Sequence, residues 1–465
     1  MNRFAIREHG ASILVAALSS TFGVVLLLVT GDLATFIGHN QAGNHEAVRL
    51  ILGFIAWVFL LIALYTAAVV TANTFATVIA GRTKTIALLR LLGASARSQR
   101  SAVAREGLIV GIIGGVIGLA AGVGLNALTL AICEATGFIP SLAYAYISLA
   151  ALGPVVAVIL TTWLASWVGS RRVLVVSPMQ AVGASEERSE SEVLRRPARN
   201  AFGIIVFVLG TLILLLGVEK GQASPTGLLV AVFGGMISFT GVVLSAGLIM
   251  PPALRLVGRA FGNGASAQLA AQNAVRYPER SARTTVGIVI GVTLVTMFAV
   301  ALQTYSVFVE KAQEVDPGEF QGTQPALAVI AIIFGVISGF SALIAAVGMV
   351  NNLNLSVVQR IRELGLLRAL GFTGQQIRRM IVAESAQLTI TAVVLGLLLG
   401  TLYGWAGAEA LMGANRFSGG IIWPAFPPAL IIAIIVAAGV LVWAASVAPS
   451  RRATRVTPVD ALAVE

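Results

Sequence analysis

The sequence predicts an all-α polytopic membrane protein of about ten transmembrane helices, built as two parallel four-helix repeats plus a linking helix pair. Three observations predict it. The 465-residue chain is 57% hydrophobic and only 11% charged, against roughly 25% charged residues in an average soluble domain. Apolar runs of about 20 residues, the length that crosses a bilayer, recur along its whole length. Finally, Val78–Gly122 echoes Val357–Gly400, and from Ile79 onward the match runs without a gap at a constant offset of 278. That offset pairs Asn73 with Asn351, Arg82 with Arg360, Lys84 with Arg362 and Arg90 with Arg368. It also pairs Gly93 with Gly371, Arg100 with Arg378, Glu106 with Glu384, Gly118 with Gly396 and Gly122 with Gly400. A second echo, Ser170–Ala181 against Ser450–Ala461, ends each half at an offset of 280. The chain reads as an internal duplication.

The first repeat covers residues 1–183, with spans expected at Ser12–Gly31, Leu50–Phe75, Gly107–Ile132 and Ile147–Val168. Met1–Gly10 and the run behind it resemble a signal sequence. The run is too long for an h-region and no clear small-residue cleavage site follows, so it is read as a retained first span. Asp32–Val48 forms a short outer loop, Arg82–Arg105 a basic inner segment, and Glu134–Tyr144 a second outer turn. Ser177-Pro178 has the form of an N-cap followed by proline at the first helical position. Residues 184–264 hold a Ser-rich, charge-dense linker, Ala184–Asn200, and an extra pair of spans, Ala201–Val218 and Gly227–Ile249. This pair carries the chain out and back, through an outer turn at Glu219–Pro225, so both repeats keep one orientation.

The second repeat covers residues 265–465. Ala265–Arg283 is amphipathic and basic, as a helix lying on the inner interface would be. Spans follow at Thr284–Tyr305, Ala326–Val350, Ser385–Trp405 and Pro427–Val447. Glu310–Gln324 makes an acidic outer loop, Pro424, Pro427 and Pro428 mark the entry to the last span, and Ser450–Glu465 is an inner tail. With both termini inside, 27 of the 31 Lys and Arg residues fall on one side, a positive-inside pattern. The net charge of +11 is thus a topology signal that suits an anionic inner leaflet and argues for no nucleic-acid partner.

Chemistry on this chain is sparse. A phosphate-cradling G-x-x-x-x-G-K-[ST] loop is missing, because Lys84, Lys220 and Lys311 are the only lysines and none follows a glycine. The chain is therefore expected to be no enzyme, with no metal or cofactor of its own. Asp32, Glu134 and Glu310 sit near the outer ends of spans, which leaves mid-membrane depth almost free of ionisable groups and disfavours a secondary carrier. Cys133 is alone and reads as a buried thiol. His39 and His45 share an outer loop without further ligands for a metal.

Three features stand out. A helix over Gln359–Arg379 would put Leu364, Leu367 and Leu370 on one apolar side and Arg360, Glu363, Arg368, Arg378 and Arg379 toward the cytoplasm. It fits either a coupling element that docks into a soluble partner or an interfacial helix with snorkelling arginines. Its recurrence in the first half favours coupling. Gly114, Gly118 and Gly122, and in the second half Gly396, Gly400 and Gly404, form small-xxx-small stripes, suited to close packing or to a sliding seam. Asn73 and Asn351, at the inner ends of spans, and Glu106 and Glu384, beyond the basic segments, are candidates for structural or gating roles.

The run Arg360-Ile361-Arg362-Glu363-Leu364-Gly365-Leu366-Leu367-Arg368-Ala369-Leu370-Gly371 resembles the signature of FtsX/MacB-type ABC transporter permeases. Val347–Asn352 before it, Glu384 after it, a Gly-striped span and the terminal Ser450–Leu462 complete the likeness, which extends to both repeats. The four-two-four arrangement looks most like the ten-span, BceB-like branch, here without a large extracytoplasmic domain. The resemblance implies a bacterial cytoplasmic-membrane permease that exports a lipid-like, peptide or amphipathic compound. It implies coupling through Arg82, Lys84, Arg90, Arg360, Arg362, Glu363 and Arg368 to a homodimeric MacB-type ATPase, one permease chain to two ATPase chains. ATP and Mg would be held by that partner. Thr85 and Ala87 depart from Glu363 and Gly365, implying unequal coupling sites. A mechanotransmitter for an envelope enzyme or sensor kinase is the alternative, and a secondary carrier a second.

Overall fold

In lipid a segment must pair its backbone N–H and C=O groups internally, and every regular element among the described residues is helical. The computed structural model describes residues 3–39, 87–89, 91–136, 147–170, 197–224, 226–261, 264–276, 278–315, 366–412 and 422–455. It also describes positions 58, 61, 62, 65, 68, 69, 72, 73, 144 and 339. The chain is an all-α polytopic membrane protein. Seven described helices are long and apolar enough to cross a bilayer, and Pro428–Val440 is a shorter apolar helix. Of the expected spans at Leu50–Phe75 and Ala326–Val350 only scattered positions are described, and Ser177-Pro178 and His45 lie outside the described residues.

One unit contains α1 (Arg3–His39), α2 (Ala96–Ala135) and α3 (Leu152–Gly169), the last preceded by a 3-10 turn at Leu149–Ala151. α2 packs between its two neighbours because glycines line two of its faces. Gly114, Gly118 and Gly122 lie on Ala16, Ala17, Ser20, Thr21 and Val24 of α1, while Gly107 and Gly111 lie on Ile159, Thr162 and Ser166 of α3. Side chains fill the remaining space in two small clusters, Ala16 with Val110 and Val158, and Val24 with Leu28, Ala151 and Val155.

The second unit contains α4 (Pro197–Gly221), α5 (Gly227–Leu244), α6 (Ala246–Gly258), α7 (Ala265–Arg276), α8 (Pro278–Val315), α9 (Gly374–Met412) and α10 (Pro428–Arg455). α9 is its centre and touches the other six. Gly396, Gly400 and Gly404 seat α9 on Val292, Thr293, Thr296 and Met297 of α8, so the α8–α9 contact is made as the α1–α2 contact is. The α4–α5 hairpin closes by a different rule. Gly203, Gly210 and Gly217 recur every seventh residue on α4, and Gly227, Gly234 and Gly241 do so around α5. Their backbones meet so closely that a Cβ on Gly210 would stand 2.6 Å from Ser238 Cα, and one on Gly241 2.5 Å from Phe207 Cα. Tyr403 of α9 bonds Ser238 at 3.0 Å, and Ser238 bonds Thr211 at 3.0 Å, which joins the hairpin to the central helix. Gln387 donates to Leu254 O at 2.8 Å and joins α6 to it as well.

Four expectations change. The helix expected over Gln359–Arg379 is broken: one helical stretch ends at Ala369 and a new one starts at Gly374. Gly371, with φ +98°, takes a backbone that L side chains disfavour, and that reverses the chain. Leu370 is consequently exposed, not on a shared apolar side with Leu367. The amphipathic helix expected at Ala265–Arg283 stops at Arg276, and Pro278 starts α8, as suits a residue with no N–H to lose there. α7 packs by Ala270 against Ile377, Met380 and Ile381 of α9, so it docks on protein. Glu310 and Glu314, expected in a loop, are on the last turns of α8. Cys133 is half-buried on α2, not buried.

Candidate functional site

Each half-chain presents a helix–turn–helix where the sequence places its basic segment. In the second unit the first helix stops with a Schellman turn: Phe372 N donates to Leu367 O and Gly371 N to Arg368 O, both at 3.0 Å. Leu367 and Phe372 pack together on the Ile377–Met380 cluster, the hydrophobic contact that accompanies this turn. α9 then begins with a capping box. Gln376 N donates to Thr373 Oγ1 at 3.2 Å, and Thr373 N donates to Gln376 Oε1 at 2.8 Å. The first unit repeats the form with less. Gly93 has φ +95°, Ala94 N donates to Leu89 O at 2.9 Å, and Ser95 caps α2 by accepting from Ser98 N at 3.1 Å. Ser98 is too short to return the second bond, so this box is half made. Gly93 and Gly371 are the only two glycines of positive φ among the described residues, and they are partners in the duplication.

Both turns hold leucines away from protein. Leu88, Leu91 and Leu92 are exposed on one, Leu366 and Leu370 on the other, Leu92 by 84% and Leu370 by 71%. Arg378 and Arg379 are exposed beside the second. Arg368, Glu106, Glu384 and Asn73 are half-buried and each is engaged by a neighbouring group. Arg82, Lys84, Arg90, Arg360, Arg362, Glu363 and Asn351 lie outside the described residues.

From each turn one uninterrupted helix leads to the opposite end of its unit. α2 has 40 residues and α9 has 39, with no proline in either. At about 1.5 Å per residue such a helix is about 60 Å long, twice the hydrocarbon core of about 30 Å. Each of these helices joins its turn to the far end of its unit through hydrogen-bonded backbone and is seated on its neighbour along a glycine seam.

The far ends carry buried polar fastenings that sequence reasoning missed. Asp32 on α1, 8% exposed, accepts from Asn126 Nδ2 of α2 at 2.9 Å. Burial pushes its carboxyl above the ordinary 3.8, and the Asn126 bond opposes that rise. In the second unit Glu409, 2% exposed, accepts from Ile422 N at 3.0 Å. Trp405 Nε1 donates to Ile422 O at 2.8 Å, and Ala425 N donates to Thr304 Oγ1 at 3.1 Å, so the extended stretch before α10 is tied to α8 and α9. Gly118 on α2 lies opposite Gly396 on α9 in the duplication, and the α1 and α8 residues they meet place Asp32 opposite Thr304. The two units thus fasten the same place with different side chains. Among the described residues no three His, Cys, Asp or Glu side chains gather as a metal site would need.

The sequence matches the family described as FtsX-like permease C-terminal twice, at residues 57–178 and 335–458. Each match contains one of the two turns and the long helix that follows it. The ABC transporter permease YknZ of Bacillus subtilis is 29% identical over 138 residues, 30% of this chain and 32% of that protein. The ABC transporter permease YtrF of the same species is 27% identical over 151 residues, 31% and 35% of the two chains. The macrolide export ATP-binding/permease protein MacB of Rhodopirellula baltica is 32% identical over 130 residues, 28% and 18%. The chain thus aligns with about a third of the length of the two Bacillus relatives, or less for MacB.

Proposed function

Because the chain belongs to the FtsX-like permease family, we propose that it is the membrane subunit of an ATP-binding cassette exporter, powered by a separate ATPase. The observation that carries this is the pairing of each exposed, leucine-tipped turn with an unbroken helix that runs to the far end of its unit. An exposed apolar tip at a capped helix start is a surface for a soluble partner, and the helix is a lever. Absence of a Walker loop from the sequence puts ATP and Mg on the partner. Two turns in one chain fit a homodimeric MacB-type ATPase, one permease to two ATPase chains, in a bacterial cytoplasmic membrane with both termini inside. Ten spans in a BceB-like order would complete the fold, with repeats at 1–183 and 265–465 and the extra pair in 184–264. The half-made box at Ser95 and the full box at Thr373 support unequal coupling at the two turns.

The cargo class that suits this chain is lipid-like, peptide or amphipathic, the kind a laterally open helix bundle takes from a leaflet. Proteoliposomes holding the chain and its ATPase test the assignment, with loss of a fluorescent phospholipid from the leaflet as readout. Glu363→Gln with Arg368→Gln should leave ATP hydrolysis running while lipid movement stops. Unchanged lipid movement in that double variant would overturn the coupling role of the turn.

A further inference from the structure

We propose that the first unit carries an inner-leaflet binding site for the phosphodiester headgroup of an anionic phospholipid, centred on Arg100 and Trp167. The guanidinium of Arg100, on α2, lies over the Trp167 ring of α3 at 4.4 Å from its centroid. Its Nε is buried and has no hydrogen-bond partner. An arginine so placed has a donor left unspent. Trp167 holds one face of the guanidinium plane, which fixes its orientation without neutralising it.

The surroundings put this pair at headgroup depth. Trp163 and Trp167, one helical turn apart on α3, are 38% and 39% exposed at the end of the apolar span Leu149–Val168. Half-exposed tryptophans at a span end are the mark of a membrane–water interface. On α2 one exposed stripe runs Val116, Ile112, Leu108, Arg105, Ser101, Arg97, so a lipid-facing apolar face turns basic within the same few turns. Lipid chains on the upper part of that stripe would bring their phosphates to Arg97, Arg100 and Arg105. This is also the side on which the sequence gathers its basic residues, hence the side of an anionic leaflet.

The duplication supplies a control. The second half keeps Arg378 opposite Arg100 and Trp443 opposite Trp163 and has Arg379 opposite Ser101. But it has Gln375 opposite Arg97, Ala383 opposite Arg105 and Val447 opposite Trp167, whose ring stacks on the guanidinium. The stacked Arg100–Trp167 pair belongs to the first half of the chain. Such a lipid would bind whether or not the chain transports, provided the helices lie in a bilayer.

The test uses the full chain, delipidated in mild detergent, titrated with phosphatidylglycerol or phosphatidylcholine and read by native mass spectrometry. Wild type should retain one phosphatidylglycerol in preference to phosphatidylcholine. Arg100→Gln and Trp167→Leu should each weaken that retention about tenfold, the scale of one lost charge-assisted contact, while Arg100→Lys keeps part of it and Arg378→Gln changes nothing. Equal retention by wild type and Arg100→Gln would overturn the proposal. So would equal losses in Arg100→Gln and Arg378→Gln. Displacement of the lipid by inorganic phosphate would assign the site to a free anion, and loss of the ATPase from Arg100→Gln with lipid retention intact would assign it to a protein interface; either result overturns it.

Discussion

Replacing Gly118 by alanine should destabilise the protein relative to the same change at Gly124, although both glycines are on α2. A Cβ on Gly118 would stand 2.6 Å from the Ala17 carbonyl oxygen, backbone that no rotamer change can move. Ordinary contact would require the two helices to part by about 1 Å, and overpacking of this kind costs about 1–3 kcal/mol. At Gly124 a Cβ meets nothing within 4 Å, so alanine there gives only its helix preference, up to about 1 kcal/mol in favour. Because both substitutions gain that preference, the difference between them isolates the seam, at about 1–3 kcal/mol. Unfolding of the purified chain in mixed detergent–SDS micelles, followed by far-ultraviolet circular dichroism, measures it. The second unit repeats the experiment: a Cβ on Gly400 would stand 2.5 Å from Thr296 Cβ, whereas one on Gly407 meets nothing within 4 Å. Equal shifts in Gly118→Ala and Gly124→Ala would refute the claim that backbone contact at the seam holds α1 to α2.

Other outcomes follow from the turns and fastenings. Gly371→Ala, in open space but at φ +98°, should cost about 1–2 kcal/mol of local backbone strain. It should speed hydrogen exchange at Phe372 by about five- to thirtyfold. Asp32 has a carboxyl pKa raised by burial, so the folded state prefers its neutral form. Its contribution is greatest below the ordinary 3.8 and is lost as pH rises through the raised folded value. Asp32→Asn keeps an acceptor for Asn126 and should flatten the stability profile above the ordinary 3.8, raising stability at the neutral end. Glu409→Ala leaves Ile422 N–H without its acceptor, at a cost of about 1–3 kcal/mol, whereas Glu409→Gln should lose less than about 1 kcal/mol. Unfolding midpoints and exchange at Ile422 separate the two.

Hydropathy and the positive-inside pattern were enough to read the class of this protein, because composition alone decides whether a helix prefers lipid. The glycine stripes are visible in the sequence as small-residue faces, since residues four apart must share one side of a helix. The break at Gly371 was legible too: Gly-Phe-Thr-Gly-Gln-Gln contains a C′ glycine, an N-cap and a box partner three residues on. Leucine and arginine spacing across that stretch fits a continuous helix just as well, and the period hid the punctuation. Heptad glycines in α4 and α5 went unread because each run also passes as a plain apolar span. Asp32 and Glu409 are a different case. Asp32 bonds a residue 94 positions away, and Glu409 bonds a backbone amide 13 positions on, beyond the end of its own helix. Local pattern places both carboxylates at the edge of water; only the packing of other elements over them makes them buried.

Native mass spectrometry of the tagged chain, purified in mild detergent from its own host, tests the central claim most directly. The account predicts one copy of this chain carrying two copies of a Walker-motif ATPase, held through the turns at Gly93 and Gly371. A chain that emerges alone, or bound to an envelope enzyme and no ATPase, would contradict it.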